Sequence, residues 1–305
     1  MIRTFRENII FQRDWTGRGE RGFRDQMLMP AIFFGAISPG LFLSSLITGY
    51  IPGLWLAIIM NIFGYGVTHL LYLGKMERFW RGLLNIRHSW ISRGMFFNIL
   101  FTLFSTLYVC MVTFAGSLVD TGTGYIVRIA GVVSAVLFLA YPGFMLSFVK
   151  AIPFWRSMVE PVLFFLQGIM GGIAVQFIMD ILYPLRGDLS LILLKTDYLL
   201  LVSITVIILF ALIVKSLHGS AERVSVEFLM KGQGAQFFLG GAVIGGLILP
   251  LIILSILVLY TEGSERLNLL LYPVMALELM GIYLAKYGFI IAGTYTPTLP
   301  EVRIE

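Results

Sequence analysis

The residues with the greatest capacity for chemistry lie in one charged segment, residues 69–94, which reads HLLYLGKMERFWRGLLNIRHSWISRG. It begins with His69 and Tyr72 at the end of a long apolar run, and its cations are Lys75, Arg78, Arg81, Arg87 and Arg93. An imidazole and a phenol donate hydrogen bonds and exchange protons, and guanidinium groups stabilise negative charge. So much positive charge beside an apolar helix end indicates contact with a membrane surface, a partner protein or an anionic ligand.

The chain around this segment has the composition of a protein embedded in lipid. Its residues are 58% hydrophobic and 13% charged, whereas soluble domains are about 25% charged. A helix needs about 20 apolar residues to cross a bilayer. Eight segments meet this requirement, namely 27–49, 52–73, 95–118, 124–149, 157–181, 194–214, 236–260 and 267–292. The sequence therefore predicts an all-α integral membrane protein with eight transmembrane helices.

Eight spans place both termini on one side of the membrane, which we call the terminal side. Of the 22 Lys and Arg residues, 17 fall on that side and 3 on the other. Residues 1–26 form a basic extramembrane segment that has no apolar core for a removable signal peptide. Because positive charge accumulates on the cytoplasmic side, we expect both termini to be cytoplasmic, in the cell inner membrane. In the connection 215–235, the stretch AERVSVEFLMKG favours a short amphipathic helix at the interface.

Ionisable residues within the spans need a reason, since charges are costly in lipid. Glu160 and Asp180 lie near opposite ends of the fifth span, where we expect interfacial water to solvate them. Glu278 lies near the middle of the last span, and Lys286 is two turns closer to the terminal side, too far for a direct ion pair. Glu278 is therefore protonated, paired with another helix, or part of a proton path whose other candidates are Asp180 and Lys286.

Three polar aromatic residues lie at similar depth below the terminal side. His69 is about 6 Å from the end of the second span, and Tyr72 follows on the same helix face. Tyr141, in the fourth span, precedes Pro142, which removes a backbone hydrogen bond and favours a kink. Two alternatives remain for Tyr141: a kink opens a pocket beside its phenol, or the phenol packs with its hydroxyl bonded to a neighbour.

Metal and haem ligands are scarce in this chain. It has one cysteine, Cys110, and three histidines, of which only His69 lies in an apolar span. An iron–sulfur cluster needs about four thiolates, and covalent c-type haem needs a CxxCH motif, which the sequence lacks. We therefore expect no haem, metal or iron–sulfur cluster in this chain.

Several motifs, in order along nearly the whole chain, resemble the NrfD/polysulfide-reductase membrane subunit family, which is related to the membrane anchors of dimethyl sulfoxide reductases. FFGAISPGLFLSSL is similar to the small-residue first helix of that family, and LGKMERFW with SWISRG is similar to its LG-x-x-x-R and SWLSRE motifs. AYPGFMLSFVKAIPFW with EPVLFFLQGIMGGIA resembles its YPG turn and fifth helix. FLMKGQGAQFFLGGAVIGGLILPL and LAKYGFIIAG resemble its seventh-helix entry and its last helix.

The resemblance implies two four-helix bundles, at residues 27–150 and 151–305, with a quinone site in the first bundle on the terminal side. It implies electron exchange between menaquinone or ubiquinone, bound as substrate, and a ferredoxin-like iron–sulfur subunit, with a molybdopterin or other catalytic subunit beyond it. The quinone-contacting tyrosine of the YPG turn corresponds to Tyr141. The chain departs from the family at Gly94, where the family has an acid, and at Lys286, where it has arginine.

Combined with the depth argument, the resemblance predicts that Tyr141, His69 and Tyr72 bind quinone. Arg78, Arg81 and Arg93 would stabilise charge or dock the partner subunit, and lipid phosphate is an alternative contact for the first two. The chain would be the quinone-reactive, metal-free subunit of a respiratory oxidoreductase, without activity alone and without nucleic acid as a partner. The alternatives are a polytopic solute or ion/proton transporter, to which Glu278 would then belong, and a structural anchor without quinone chemistry.

Overall fold

The computed structural model describes residues 27–73, 75–185, 187–232, 234–260 and 265–294, and in these ranges the chain is helical with no strand. The predicted basic segment 1–26 lies outside them. We number the eight long apolar helices α1 to α8. They are α1 Leu28–Thr48, α2 Ile51–Leu73, α3 Trp90–Phe114, α4 Gly122–Ser147, α5 Val159–Met179, α6 Gly187–Leu217, α7 with consecutive parts Gln236–Ile248 and Leu249–Tyr260, and α8 Glu265–Ile291.

The eight predicted spans are confirmed, because each of these helices is long and apolar enough to cross a membrane. Helix α3 begins five residues before its predicted start, since the Ser89 side chain caps it by accepting a hydrogen bond from the Ser92 amide at 3.3 Å. Part of the charged segment 69–94 is itself a 3₁₀ helix, Met76–Asn85. The short helix expected between α6 and α7 is present as Ser220–Lys231.

Two of the long helices contain π-helical stretches that hydrophobic periodicity did not predict. Met60–Gly66 is the middle of α2, and Gln236–Ile248 is the first half of α7. A π-helix widens the turn and shifts the faces of the residues that follow. In α2 the stretch ends one turn before His69, so it sets the direction of the polar aromatic residues at the terminal end of that helix.

The buried apolar residues form two hydrophobic clusters. The first cluster draws on α1 to α4 and includes Phe42, Phe101 and Phe138. The second draws mainly on α5 to α8 and includes Met170 and Leu254, with contributions from α1 and the end of α4. Helix α1 therefore contributes to both, and the division predicted at residue 150 falls in the connection between α4 and α5.

Glycines let α1 and α5 approach closely. A side-chain carbon built at Gly40 would overlap the carbonyl group of Gly168, and one built at Gly172 would overlap the backbone of Gly40. Small residues at such crossings bring helix backbones together in membranes, where packing rather than the hydrophobic effect drives association. This crossing joins the two hydrophobic clusters into one structure.

Candidate functional site

Tyr65 connects two of the predicted site residues at the terminal end of the first hydrophobic cluster. Its ring stacks on His69 with centroids 5.2 Å apart and planes 18° apart. Its hydroxyl interacts with that of Tyr141. Phe138 packs against both phenols, edge-on to Tyr65 at 5.0 Å and stacked on Tyr141 at 6.0 Å. The structure thus brings Tyr141 and His69 together through a residue that sequence analysis did not select.

Exposure increases along this group toward the terminal side. Tyr65 and Tyr141 are buried, with exposed fractions of 6% and 7%, whereas His69 and Tyr72 are half-buried. The Tyr72 ring lies 6.4 Å from the His69 ring, tilted by 45°. A ligand arriving from the membrane or the terminal side would meet Tyr72 and His69 before it met the two buried phenols.

Glycines on neighbouring helices make room for the two phenol rings. A side-chain carbon at Gly35 of α1 would lie 2.8 Å from the Tyr65 ring, and one at Gly94 of α3 would overlap the Tyr141 ring. Helix α4 continues past Pro142 to Ser147, and Tyr141 is buried against Phe138 and Gly94. The Tyr141 ring is therefore closely packed on its neighbours.

The three predicted arginines have different surroundings. Arg93 is committed locally, because it donates from Nε to the Ile86 carbonyl at 3.0 Å and from Nη2 to the Arg87 carbonyl at 2.7 Å. Its guanidinium also lies 4.7 Å from the centre of the Trp90 ring. These contacts hold the charged segment 69–94 against the start of α3.

Arg78 and Arg81 lie on the 3₁₀ helix Met76–Asn85 and are exposed. Arg78 has a 3.9 Å contact with Glu77, and Arg81 lies 5.6 Å from the centre of the Trp80 ring. Trp80 itself is half exposed, with 50% of its surface accessible. The segment presents a combined basic and aromatic surface, the composition that suits a membrane interface or a partner protein.

The expectation that interfacial water solvates Glu160 is wrong. Its side chain is 1% exposed, and its Oε1 accepts a hydrogen bond at 2.8 Å from Nζ of Lys215 on α6. Lys215 also donates to the Phe154 carbonyl and lies 4.7 Å from the centre of the Phe154 ring. A buried charge needs a paired charge and hydrogen bonds, and here a helix distant in sequence supplies the pairing.

Glu278 and Lys286 are both buried, and they are separated as the spacing predicts. The Lys286 Nζ lies 3.6 Å from the centre of the Phe164 ring and has no hydrogen-bond partner among the described residues. Glu278 lies next to Asp197 of α6, and the two carboxyl groups interact. Asp197 was overlooked in the sequence, although an acid within the apolar run LLKTDYLLL was a signal that could have found it.

The sequence of residues 26–298 matches the protein family described as "Polysulphide reductase, NrfD". This match covers most of the chain. The protein belongs to the NrfD family. Members of this family are membrane subunits of redox enzyme complexes and assemble with redox subunits, so this NrfD protein is a multi-pass membrane subunit of a reductase-type complex. Comparison with curated proteins gave no match.

In this NrfD protein, Asp180 is separated from the other proton-path candidates. It lies at the end of α5 away from the terminal side, where its Oδ1 accepts a hydrogen bond from the Leu185 amide at 2.5 Å. Tyr50 is close by and donates its hydroxyl to the Tyr183 carbonyl at 2.7 Å. Burial, reinforced by the charge of Asp180 and by Tyr183, raises the pKa of Tyr50 to about 12.

Two cavities of the NrfD protein lie near the terminal ends of α5, α6 and α8. The inner cavity, of about 40 Å³, is mostly apolar, and its polar lining residues are Glu160, Gln167, Lys215 and Lys286. The outer cavity, of about 190 Å³, has Arg156, Lys215, His218 and Glu222 in its lining. Lys215 therefore contributes to both cavities.

Proposed function

We propose that this NrfD protein exchanges electrons between a membrane quinone or quinol and an iron–sulfur partner subunit, as one component of a respiratory oxidoreductase. The observation that carries the proposal is the packed aromatic group of Tyr141, Tyr65 and His69 beside an exposed basic surface. The ligand would be menaquinone or ubiquinone. The partner would be a ferredoxin-like subunit, with a molybdopterin or other catalytic subunit beyond it.

Quinone reduction consumes two electrons and two protons, so the head group needs hydrogen-bond donors and a source of protons. His69 is half-buried and is the group that a head group entering from the membrane can reach, with Tyr72 at the rim. Behind His69, the buried Tyr65 and Tyr141 phenols form an interacting pair. In this proposal the pair fixes the position of the imidazole and passes protons to it, and Tyr141 acts through Tyr65 as well as on the quinone.

The basic surface would serve the partner subunit. Arg78 and Arg81 are exposed beside Trp80, so their guanidinium groups are available to carboxylates on a docked protein, or to lipid phosphates. Two of the hydrogen bonds of Arg93 go to backbone carbonyls. Its role in the proposal is therefore to hold the segment in place, close to Tyr141 through Gly94.

We also assign the two hydrophobic clusters to two four-helix bundles, with the quinone site in the first. The charge bias of the connections would place the terminal side in the cytoplasm and the protein in the cell inner membrane. The predicted orientation can be checked by labelling engineered cysteines from either side of right-side-out vesicles.

Replacing Tyr141 with Phe in the assembled complex tests the function. We expect slower quinol-linked turnover and altered sensitivity to quinone-site inhibitors, while the partner's activity with an artificial electron donor is unchanged. The matched control is Tyr108→Phe, which removes a buried phenol from α3 at the end away from Gly94 and Tyr141. Unchanged turnover and inhibitor sensitivity in Tyr141→Phe would refute the assignment of this site.

The transporter alternative is not favoured, because the family consists of membrane subunits of redox complexes. Affinity purification through this chain separates the two. Co-purification of a coloured iron–sulfur or molybdenum protein supports the redox subunit, and a lone colourless chain supports transport. Quinone extraction then tests the purely structural anchor, for which a complex purified in mild detergent would contain no quinone.

A further inference from the structure

We propose that helices α6 and α8 hold a buried proton-binding site, the Asp197–Glu278 carboxyl pair, which is supplied through a hydrated path from the terminal side. The path runs past the Glu160–Lys215 ion pair and Lys286. This proposal concerns the second hydrophobic cluster and does not depend on quinone chemistry in the first. The ligand of the site is a proton shared between two carboxylates.

Asp197 and Glu278 are both fully buried, with exposed fractions of 0%. Their carboxyl groups interact with each other, and none of their four oxygens has a hydrogen-bond partner among the described residues. Two adjacent ionised carboxylates repel, and each would also lose its solvation by water. One shared proton removes one of the charges and supplies the missing hydrogen bond.

The surrounding helices do not neutralise the pair. Helix α8 packs against α1, α5 and α7, and the pair also faces α6. The described side chains of α1 and α7 include no titratable group. The titratable groups of the other described spans are Glu160 on α5, Lys195, Tyr198 and Lys215 on α6, and Tyr272, Tyr283, Lys286 and Tyr287 on α8.

Among these cations, Lys195 is exposed and Lys215 is bound to Glu160. Lys286 is the remaining one, and it lies eight residues from Glu278, about 12 Å along the helix axis. It is therefore too distant to replace the proton as a direct partner of the pair. Its side chain leaves the helix in the direction of the N-terminus, which is the direction of Glu278.

The inner cavity is large enough to hold water. Its volume of about 40 Å³ is sufficient for roughly three waters, at 10–15 Å³ for each. Two buried polar atoms of its lining residues, Oε2 of Glu160 and Nζ of Lys286, have no hydrogen-bond partner among the described groups. Buried water is expected where a cavity is large enough and polar atoms lack partners, and both conditions are met here.

The outer cavity adjoins this chamber at Lys215, which lines both cavities. Its lining also includes His218, which is exposed, and Glu222, which is partly exposed. A proton taken up at His218 or Glu222 would pass by water to the free oxygen of Glu160 and on to Lys286. Lys286 would then release one proton toward the carboxyl pair and regain one from the cavity water, so that charge and protons balance.

Carbodiimide labelling tests the proton on the pair. Dicyclohexylcarbodiimide adds to protonated carboxyl groups in apolar surroundings. In the full chain in nanodiscs at neutral pH, we expect an adduct on Asp197 or Glu278 by peptide mass spectrometry and its loss in the double variant Asp197→Asn, Glu278→Gln. Exposed Asp120 is the internal control and should remain unlabelled. Absence of adduct on both residues, or protection by sodium but not by choline, would overturn the assignment of a proton.

Cysteine accessibility tests the path and its side. In a Cys110→Ser background reconstituted into liposomes, we expect a small water-soluble thiosulfonate to modify Lys286→Cys from the terminal side only. Gln167→Cys, in the same cavity, is the second variant in case the first does not fold. Ile282→Cys, which is buried one turn deeper on α8, is the control and should not react. Failure of both cavity cysteines to react, or reaction from the opposite side, would refute the path.

Discussion

The ring of Tyr141 packs directly on the α-carbon of Gly94, so that any side-chain carbon at residue 94 would overlap three atoms of the ring. The family pattern has an acid at this position of the SWLSRE motif. In this protein that space is occupied by the phenol. The position of Tyr141 therefore depends on the glycine, and the phenol fills the space that a side chain at residue 94 would take.

Substitution of Gly94 should displace Tyr141. We expect Gly94→Ala to lower the free energy of unfolding by about 1–3 kcal/mol, the usual cost of overpacking, and to reduce quinol-linked turnover of the complex. The control is Gly122→Ala. Gly122 lies at the end of α4 away from Tyr141, and a side-chain carbon there would meet no atom within 4 Å. Thermal unfolding in detergent and turnover measure the two effects. A Gly94→Ala protein as stable and active as the control would contradict this packing.

Removing one partner of the buried Glu160–Lys215 ion pair should lower the free energy of unfolding more than replacing both partners. Glu160→Gln leaves the Lys215 ammonium buried without its counterion, and such changes cost about 3–5 kcal/mol. The double variant Glu160→Leu, Lys215→Met should recover much of that loss, which a double-mutant cycle on unfolding midpoints with the single variants Glu160→Leu and Lys215→Met would show. The exposed Arg223–Glu227 pair, at 3.1 Å, is the control, and Glu227→Gln should cost less than about 0.5 kcal/mol. Equal losses at the two sites would contradict the buried ion pair.

The eight spans could be predicted because continuous apolar runs depend on local composition alone. The site could be predicted only in part. His69, Tyr72 and Tyr141 share a depth that can be counted along each helix, but the contact through Tyr65 depends on how α2 and α4 pack. The spacing of Tyr65, four residues before His69, was the available signal.

The partners of buried charged residues could not be predicted, because they depend on how neighbouring helices pack. Glu160 was assigned to interfacial water because its distance from the helix end is all that the sequence gives. Its actual partner, Lys215, is 55 residues away in the chain. Asp197 and Glu278 likewise acquire their meaning only when α6 and α8 are placed side by side.

The crossing of α1 and α5 should be sensitive to added volume. Gly40→Ala places a methyl group against the Gly168 carbonyl, and neither backbone can move without disturbing the contact between the two clusters. We expect a loss of about 1–3 kcal/mol, as for other overpacked sites. Gly240→Ala on α7, where a side-chain carbon meets nothing within 4 Å, should be neutral or slightly stabilising. Equal unfolding midpoints for the two variants would show that the helices are not in such close contact.

Tyr50 should make the protein less stable in strongly alkaline solution. Its pKa is raised from 10.0 to about 12, chiefly by burial and then by Asp180 and Tyr183. Because the folded state holds this proton more tightly than the unfolded state, the contribution of Tyr50 to stability is complete below about pH 10 and is lost as the pH rises to about 12.

Tyr50→Phe removes the hydroxyl and its bond to the Tyr183 carbonyl. The variant should therefore be less stable than the wild type at pH 8 by about 1 kcal/mol, and the difference should shrink between pH 10 and 12. Tyr125→Phe, at an exposed tyrosine, should show neither effect. Unfolding midpoints measured from pH 8 to 12 would check the expected change in stability with pH. A difference between Tyr50→Phe and wild type that stays constant with pH would contradict the raised pKa.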